Sequence, residues 1–278
     1  MSKIHLIILN VILLVAVLIS SQFIYAETIE SNTNITEPDS IALLKPMLPT
    51  VDLHKYYDIV PGDERWENLC LSEKLQAQQL KPDILDSIPT SDLLDICLFN
   101  PYIANYGCYD NLNEGLESVI NTFNMYPVLL SRKDAVSLIC NKYIAFNYTK
   151  VNNALNTHKL HFINFLSIEA YLMAGYLLQK DSFSGLDESL LFKLFLKSFE
   201  EFSLNQDNER MAPDVIIQDS DCMIMNKIML KYNYIPLIKD TKLQKDITSD
   251  QHLGIMSKNV KQRILKHADK FLASKNTK

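Results

Sequence analysis

Glycine is scarce, with 6 residues in 278. Loops that cradle phosphate or expose a nucleophile bring the backbone close to the ligand, and glycine is the residue that permits this. No Gly-x-Ser-x-Gly elbow, phosphate loop or dinucleotide fingerprint occurs. The His-Glu-x-x-His signature of zinc proteases is missing too, because His158 is followed by Lys159. Positive charge is in deficit: 27 Lys and Arg stand against 33 Asp and Glu, for a formal net charge of −6. A mildly acidic chain has no general attraction for nucleic acid. Cysteine is limited to Cys70, Cys97, Cys108, Cys140 and Cys222, an odd number that leaves at least one thiol over.

What is present begins with an export signal. Lys3 and His5 precede an apolar run from Leu6 to Ile19, interrupted only by Asn10, and Ala26 offers a small residue at a cut. Residues 1–26 are therefore read as a signal peptide, and the destination as secreted or periplasmic. The alternative is an uncleaved N-terminal membrane anchor, since the uncharged run from Leu6 to Ala26 approaches the ~20 residues a spanning helix needs. An oxidising destination permits disulfides. Cys97 and Cys108 are the nearest pair, although Cys97 and Cys140 also fit apolar helix faces as free thiols.

Residues 27–60 read as a disordered or extended leader, polar up to Pro38 and punctuated by Pro46, Pro49 and Pro61. Asn34-Ile35-Thr36 and Asn147-Tyr148-Thr149 match the glycosylation sequon, which matters only in a host with that machinery. Residues 61–146 form an N-terminal helical region. Its expected helices are Asp63 to Leu80, Asp83 to Ile88, Asp92 to Phe99, Pro101 to Tyr106, Asn111 to Phe123, Pro127 to Ser131 and Asp134 to Phe146. Pro, Asn, Asp or Ser stands at most of their ends.

A polar connector leads to a C-terminal helical region, 157–278, packed on the first. It holds a long apolar helix from His158 to Gln179, whose polar residues favour a soluble core over a membrane span. A helix over Asp187 to Leu204 follows, with Phe192, Phe195, Phe199 and Phe202 in one arc, read as core. Asp214 to Tyr232 is a Met-rich helix, Tyr232 to Ile238 a short extended piece, and Lys239 to Asp250 a polar loop. Ser257 to Ala273 closes the chain as an amphipathic helix with Val260, Ile264, Ala268 and Phe271 inward. The fold class is all-α: a multi-helix array of short Pro-punctuated helices stacked as helical hairpins, solenoid-like or as an irregular bundle.

Between residues 61 and 143 an ordered set recurs: Pro61-Gly62, Trp66, Pro82, Leu85, Pro89-Thr90, Leu93-Leu94, Cys97-Leu98, Pro101, Asp110-Asn111, Phe123-Asn124, Leu129-Leu130, Arg132, Asp134-Ala135 and Tyr143. This resembles a group of uncharacterised, exported, helix-rich bacterial proteins, over about a third of the chain. The resemblance implies an exported helical protein and carries over no catalytic residue.

Three sets of residues bear on chemistry. His158 and His161 stand three apart on one side of a helix, with Glu169 two further turns along. Together they are the candidate cluster for a metal-assisted enzyme, which would need three or four converging ligands. Acid pairs occur at Asp83/Asp86, Asp92/Asp95 and Asp219/Asp221; the helix dipole accounts for the first two as first-turn residues. The last 40 residues hold 10 Lys and Arg against 4 acids. This basic helix either neutralises the acidic body of the same fold or makes peripheral contact with an anionic membrane. The reading reached is an exported, non-catalytic protein that binds a protein or peptide or acts as a scaffold. No catalytic, cofactor or metal residue is assigned in that reading, and no cofactor is expected.

Overall fold

A computed structural model describes residues 50–102, 112–146, 169–170, 172–179, 181–205, 212–253 and 256–276. Among them every regular element is helical, and the protein is an all-α, multi-helix fold. The first seven helices are short: α1 (Glu64–Glu67), α2 (Leu71–Ala77), α3 (Pro82–Ser87), α4 (Thr90–Leu98), α5 (Leu112–Thr122), α6 (Met125–Ser131) and α7 (Ala135–Ala145). Residues 172–178 are also helical. Five further helices follow: α8 (Glu188–Asn205), α9 (Ala212–Lys231), α10 (Ile235–Ile238), α11 (Thr241–Leu253) and α12 (Lys258–Asn276).

Local chemistry sets the breaks. Pro82 occupies the first turn of α3 and Pro89 immediately precedes α4, where a missing N–H costs nothing. The Cys70 N–H donates to the Glu73 carboxylate at 2.8 Å and opens α2. This start splits the single helix expected over Asp63 to Leu80 in two. Trp66 goes into the core while Cys70 stays exposed. Asp187 accepts from the Leu190 N–H and Asp240 from the Leu243 N–H, capping α8 and α11 respectively.

Other segments depart from expectation. The stretch from 239 to 250, expected as a polar loop, lies largely within α11, because Leu243 and Ile247, one turn apart, both bury. The extended piece expected over Tyr232 to Ile238 is instead a turn followed by α10. Asn233 takes a left-handed backbone (φ 51°) and Pro236 starts the helix. Of the helix expected at Pro101 to Tyr106, Pro101 and Tyr102 form a turn and the rest lies outside the described residues. The leader does not stay extended to residue 60: Leu53–Lys55 is a 3-10 turn, and Tyr56, Tyr57 and Val60 join the core.

The packing is a relay. α4 packs on α6 and α7, and α5 and α7 each pack on α6. α7 then packs on α8, α8 on α9, and α9 on α12. One apolar core runs through all of these, with Trp66, Tyr126, Phe195 and Phe271 almost entirely buried. Each such side chain contributes roughly 1.5–3 kcal/mol by leaving water. α7 is the helix shared by both halves, and the polar groups within the core lie along it.

Candidate functional site

His158 and His161 lie outside the described residues. Glu169 is fully buried, and its two carboxylate oxygens have no hydrogen-bond partner among the described residues. Burial pushes its carboxyl well above the usual range, Lys142 opposes that rise and Asp95 adds to it. Among the described residues no group of three or more His, Cys, Asp or Glu is placed to hold a metal ion.

Two buried polar groups flank α7. In the first, Lys142 of α7 donates to Asp95 of α4 at 2.7 Å, and Glu169 faces the same ammonium. Asp95 also accepts from the Thr50 N–H at 2.9 Å and the Thr50 hydroxyl at 2.7 Å. In the second, Lys197 of α8 pairs with Glu201 one turn along at 2.5 Å. Asp221 of α9 lies close to both, and the Ser198 hydroxyl faces it. Tyr143, the next residue after Lys142, donates its hydroxyl to Asp221 at 2.9 Å. Burial raises the Asp221 carboxyl to about 7, helped by Glu201 and opposed by Lys197, Tyr143 and Ser198. The same environment drives the Tyr143 phenol far above its ordinary value, through burial first and Asp221 second.

The remaining acid pairs separate. Asp83 sits in the first turn of α3 as expected. Asp92 is in the first turn of α4, accepting from the Tyr56 hydroxyl at 2.5 Å and lying near Lys55. Asp86 and Asp95 lie beyond the first turns, so the helix dipole does not account for them. Asp95 is held by Lys142 and Thr50. Asp219 pairs with Lys261 of α12 at 2.7 Å and accepts from the Met256 N–H at 2.9 Å. Arg263 binds Asp240 and Asp246, and His267 also reaches Asp240. Basic residues of the closing helix thus neutralise acids of α9, α11 and the turn before it.

Cys97, Cys140 and Cys222 are buried free thiols and Cys70 an exposed one. The suggested Cys97–Cys108 bridge is not formed, since Cys97 is a free thiol packed inside α4; Cys108 lies outside the described residues. Burial raises the Cys97 and Cys222 thiols well above the usual value and the Cys140 thiol to about 12, so these are inert fillers of the core. The phenylalanine arc is core, with Phe195 and Phe202 buried and Phe192 and Phe199 stacked on Phe195. Lys227 of α9 donates to the carbonyls of Leu177 and Gln179 and to the Ser182 hydroxyl, and sits over the Phe183 ring. Burial brings its ammonium down to about 8. This is a chain-ending clamp that satisfies exposed carbonyls.

Sequence reasoning did not single out Lys142, Lys197 or Glu201. One signal was present: acids inside apolar runs, as in Leu93-Leu94-Asp95-Ile96-Cys97-Leu98. A carboxylate there is buried and must find a partner. Comparison with family models, with curated proteins and with solved structures finds no match for this chain.

Proposed function

We propose that this chain is an exported, non-catalytic helical protein that binds a protein or peptide partner. The observation that carries the reading is where apolar side chains remain outside the core. Leu196 and Leu204 on α8 and Ile235 and Ile238 on α10 are exposed. Beneath them runs a continuous aromatic layer, Phe195 against Phe271 and Phe271 against Tyr234, that joins α8, α12 and the start of α10. Aliphatic groups on a firmly packed helical base suit a partner's apolar side chains. No helix among the described residues is long and apolar enough to cross a membrane. Chemical crosslinking in envelope extract, wild type against Leu196→Asp/Ile235→Asp, tests the proposal. A defined partner should be captured by the wild type and lost from an equally stable variant. Absence of any wild-type partner would end the binding reading. Fusing residues 1–26 to an export-dependent reporter tests the location separately, and an inactive reporter would remove it.

A metal-assisted enzyme using His158, His161 and Glu169 is the second reading. It draws on the unpartnered carboxyl of Glu169. Burial opposes it, because a ligating carboxylate must be ionised and this one is held protonated. Stoichiometric zinc in the purified protein, lost in His161→Ala, would favour this reading over the first.

A further inference from the structure

Each of the two polar groups beside α7 contains one lysine and two buried carboxyls. Lys142 lies between Asp95 and Glu169, bonded to the first. Lys197 lies between Glu201 and Asp221, bonded to the first. One ammonium neutralises one carboxylate, so each triad carries an excess negative charge in a low-dielectric interior unless a proton is added. The carboxyls left over are Glu169 and Asp221. Lys142 and Tyr143 are adjacent on α7. The first side chain reaches α4 in the N-terminal half; the second reaches α9 in the C-terminal half.

We propose that the two triads form a proton-operated latch: a proton on Glu169 and another on Asp221 hold α7 closed against α4, α8 and α9, and their loss as the medium turns alkaline loosens this packing. Every charged or titratable side chain facing the two acids enters the balance. Glu169 is faced by Lys142 of α7 and Asp95 of α4. Asp221 is faced by Lys197 and Glu201 of α8 and by Tyr143 of α7. On α9 itself Asp219 and Cys222 are neighbours, with Lys261 of α12 beside them, committed to Asp219.

The direction follows from the proton count. An unfolded Asp221 releases its proton near 3.8, whereas the folded one holds it to about 7. Between those values the native state binds a proton that the unfolded chain does not, so stability falls as pH rises. The contribution is complete below about pH 4 and gone above about pH 7. Glu169 acts in the same sense, from its ordinary 4.5 upward. Asp240, whose carboxyl burial raises but whose bonds to His267, the Leu243 N–H and Arg263 bring it below 3.8 overall, acts below this window. Lys227 titrates above it.

Urea unfolding of the purified full chain at pH 5, 6, 7 and 8 tests the latch, with Asp221→Asn and Glu169→Gln alongside. The wild-type folding constant should fall about tenfold or more per pH unit from 5 to 7. Each variant should remove about one proton's share of that slope, and Asp221→Asn should equal or exceed the wild type in stability at pH 8. Amide exchange, corrected for its intrinsic pH dependence, should accelerate in α7 more than in α11 as pH rises. Wild-type stability that is level or rising between pH 5 and 7 overturns the proposal whether or not the variants fold. Variants that fold and keep the full wild-type slope overturn it as well. A purely packing role would shift stability by the same factor at every pH.

Discussion

The two halves of the molecule are tied together by different chemistry. Across α1–α7 the long-range ties are side chains bonded to backbone. Arg132 donates to the Leu85 and Ile88 carbonyls, at 2.9 and 2.5 Å. Asn124 accepts from the Leu80 N–H and donates to the Leu80 carbonyl. Gln79 receives the Asn124 N–H and donates to the Thr122 carbonyl, and the Tyr126 hydroxyl donates to the Cys97 carbonyl. Across α8–α12 the ties run between side chains: Lys261 to Asp219, Arg263 to Asp240 and Asp246, and the stacked Phe195, Phe271 and Tyr234. Helix length explains the contrast. Every helix end leaves unpaired backbone groups, so a region of short helices must spend its polar side chains on backbone. Long helices have few ends and long flanks, and their side chains meet each other instead.

Breaking the second kind of tie should have the largest effect. Lys261→Met leaves Asp219 charged and buried, and should cost about 3–5 kcal/mol, read by urea unfolding at pH 7. Phe271→Ala should cost about 3–5 kcal/mol by removing the ring that joins α8, α12 and the segment before α10. The first kind of tie is smaller per residue but local. Arg132→Ala exposes the end of α3 to loss of two carbonyl partners and should cost about 1.5–3 kcal/mol. Arg132→Lys should recover only part of this, because a point charge cannot span both carbonyls as the guanidinium fork does. Amide exchange should rise in α3 and α4 while α12 stays protected; equal loosening throughout would erase the distinction between halves. The smallest effect belongs to Arg263→Ala, about 0.2–1 kcal/mol, because its side chain is partly exposed. That loss should shrink further in 1 M salt, whereas the Lys261→Met loss should not.

Several of the residues that form the ordered pattern between 61 and 143 acquire a physical account from these ties. Thr90 donates to Asp134 and accepts from Arg132, so three members form one clasp between the α3–α4 and α6–α7 turns. Trp66 is the largest side chain of the core, and Tyr143 is the hydroxyl that reaches Asp221. The clasp was legible as breakers and caps because those are local signals. α11 was not legible: its apolar residues, Leu243 and Ile247, are too few to stand out in a polar stretch, and only α12 beside it makes them a buried face.

Periodicity and punctuation in the chain dictated that it would be helical, where proline would end many of the rods, and which oily stripes would turn inward. These depend on neighbours three or four positions away and need no knowledge of the rest. Tertiary packing alone decided that one lysine would serve two buried acids on either side of α7. Lys142 and Asp95 are 47 residues apart, and Tyr143 and Asp221 are 78 apart. No local rule specifies a partner at that distance. It is fixed only when the apolar faces have closed and the charges caught between them must be balanced.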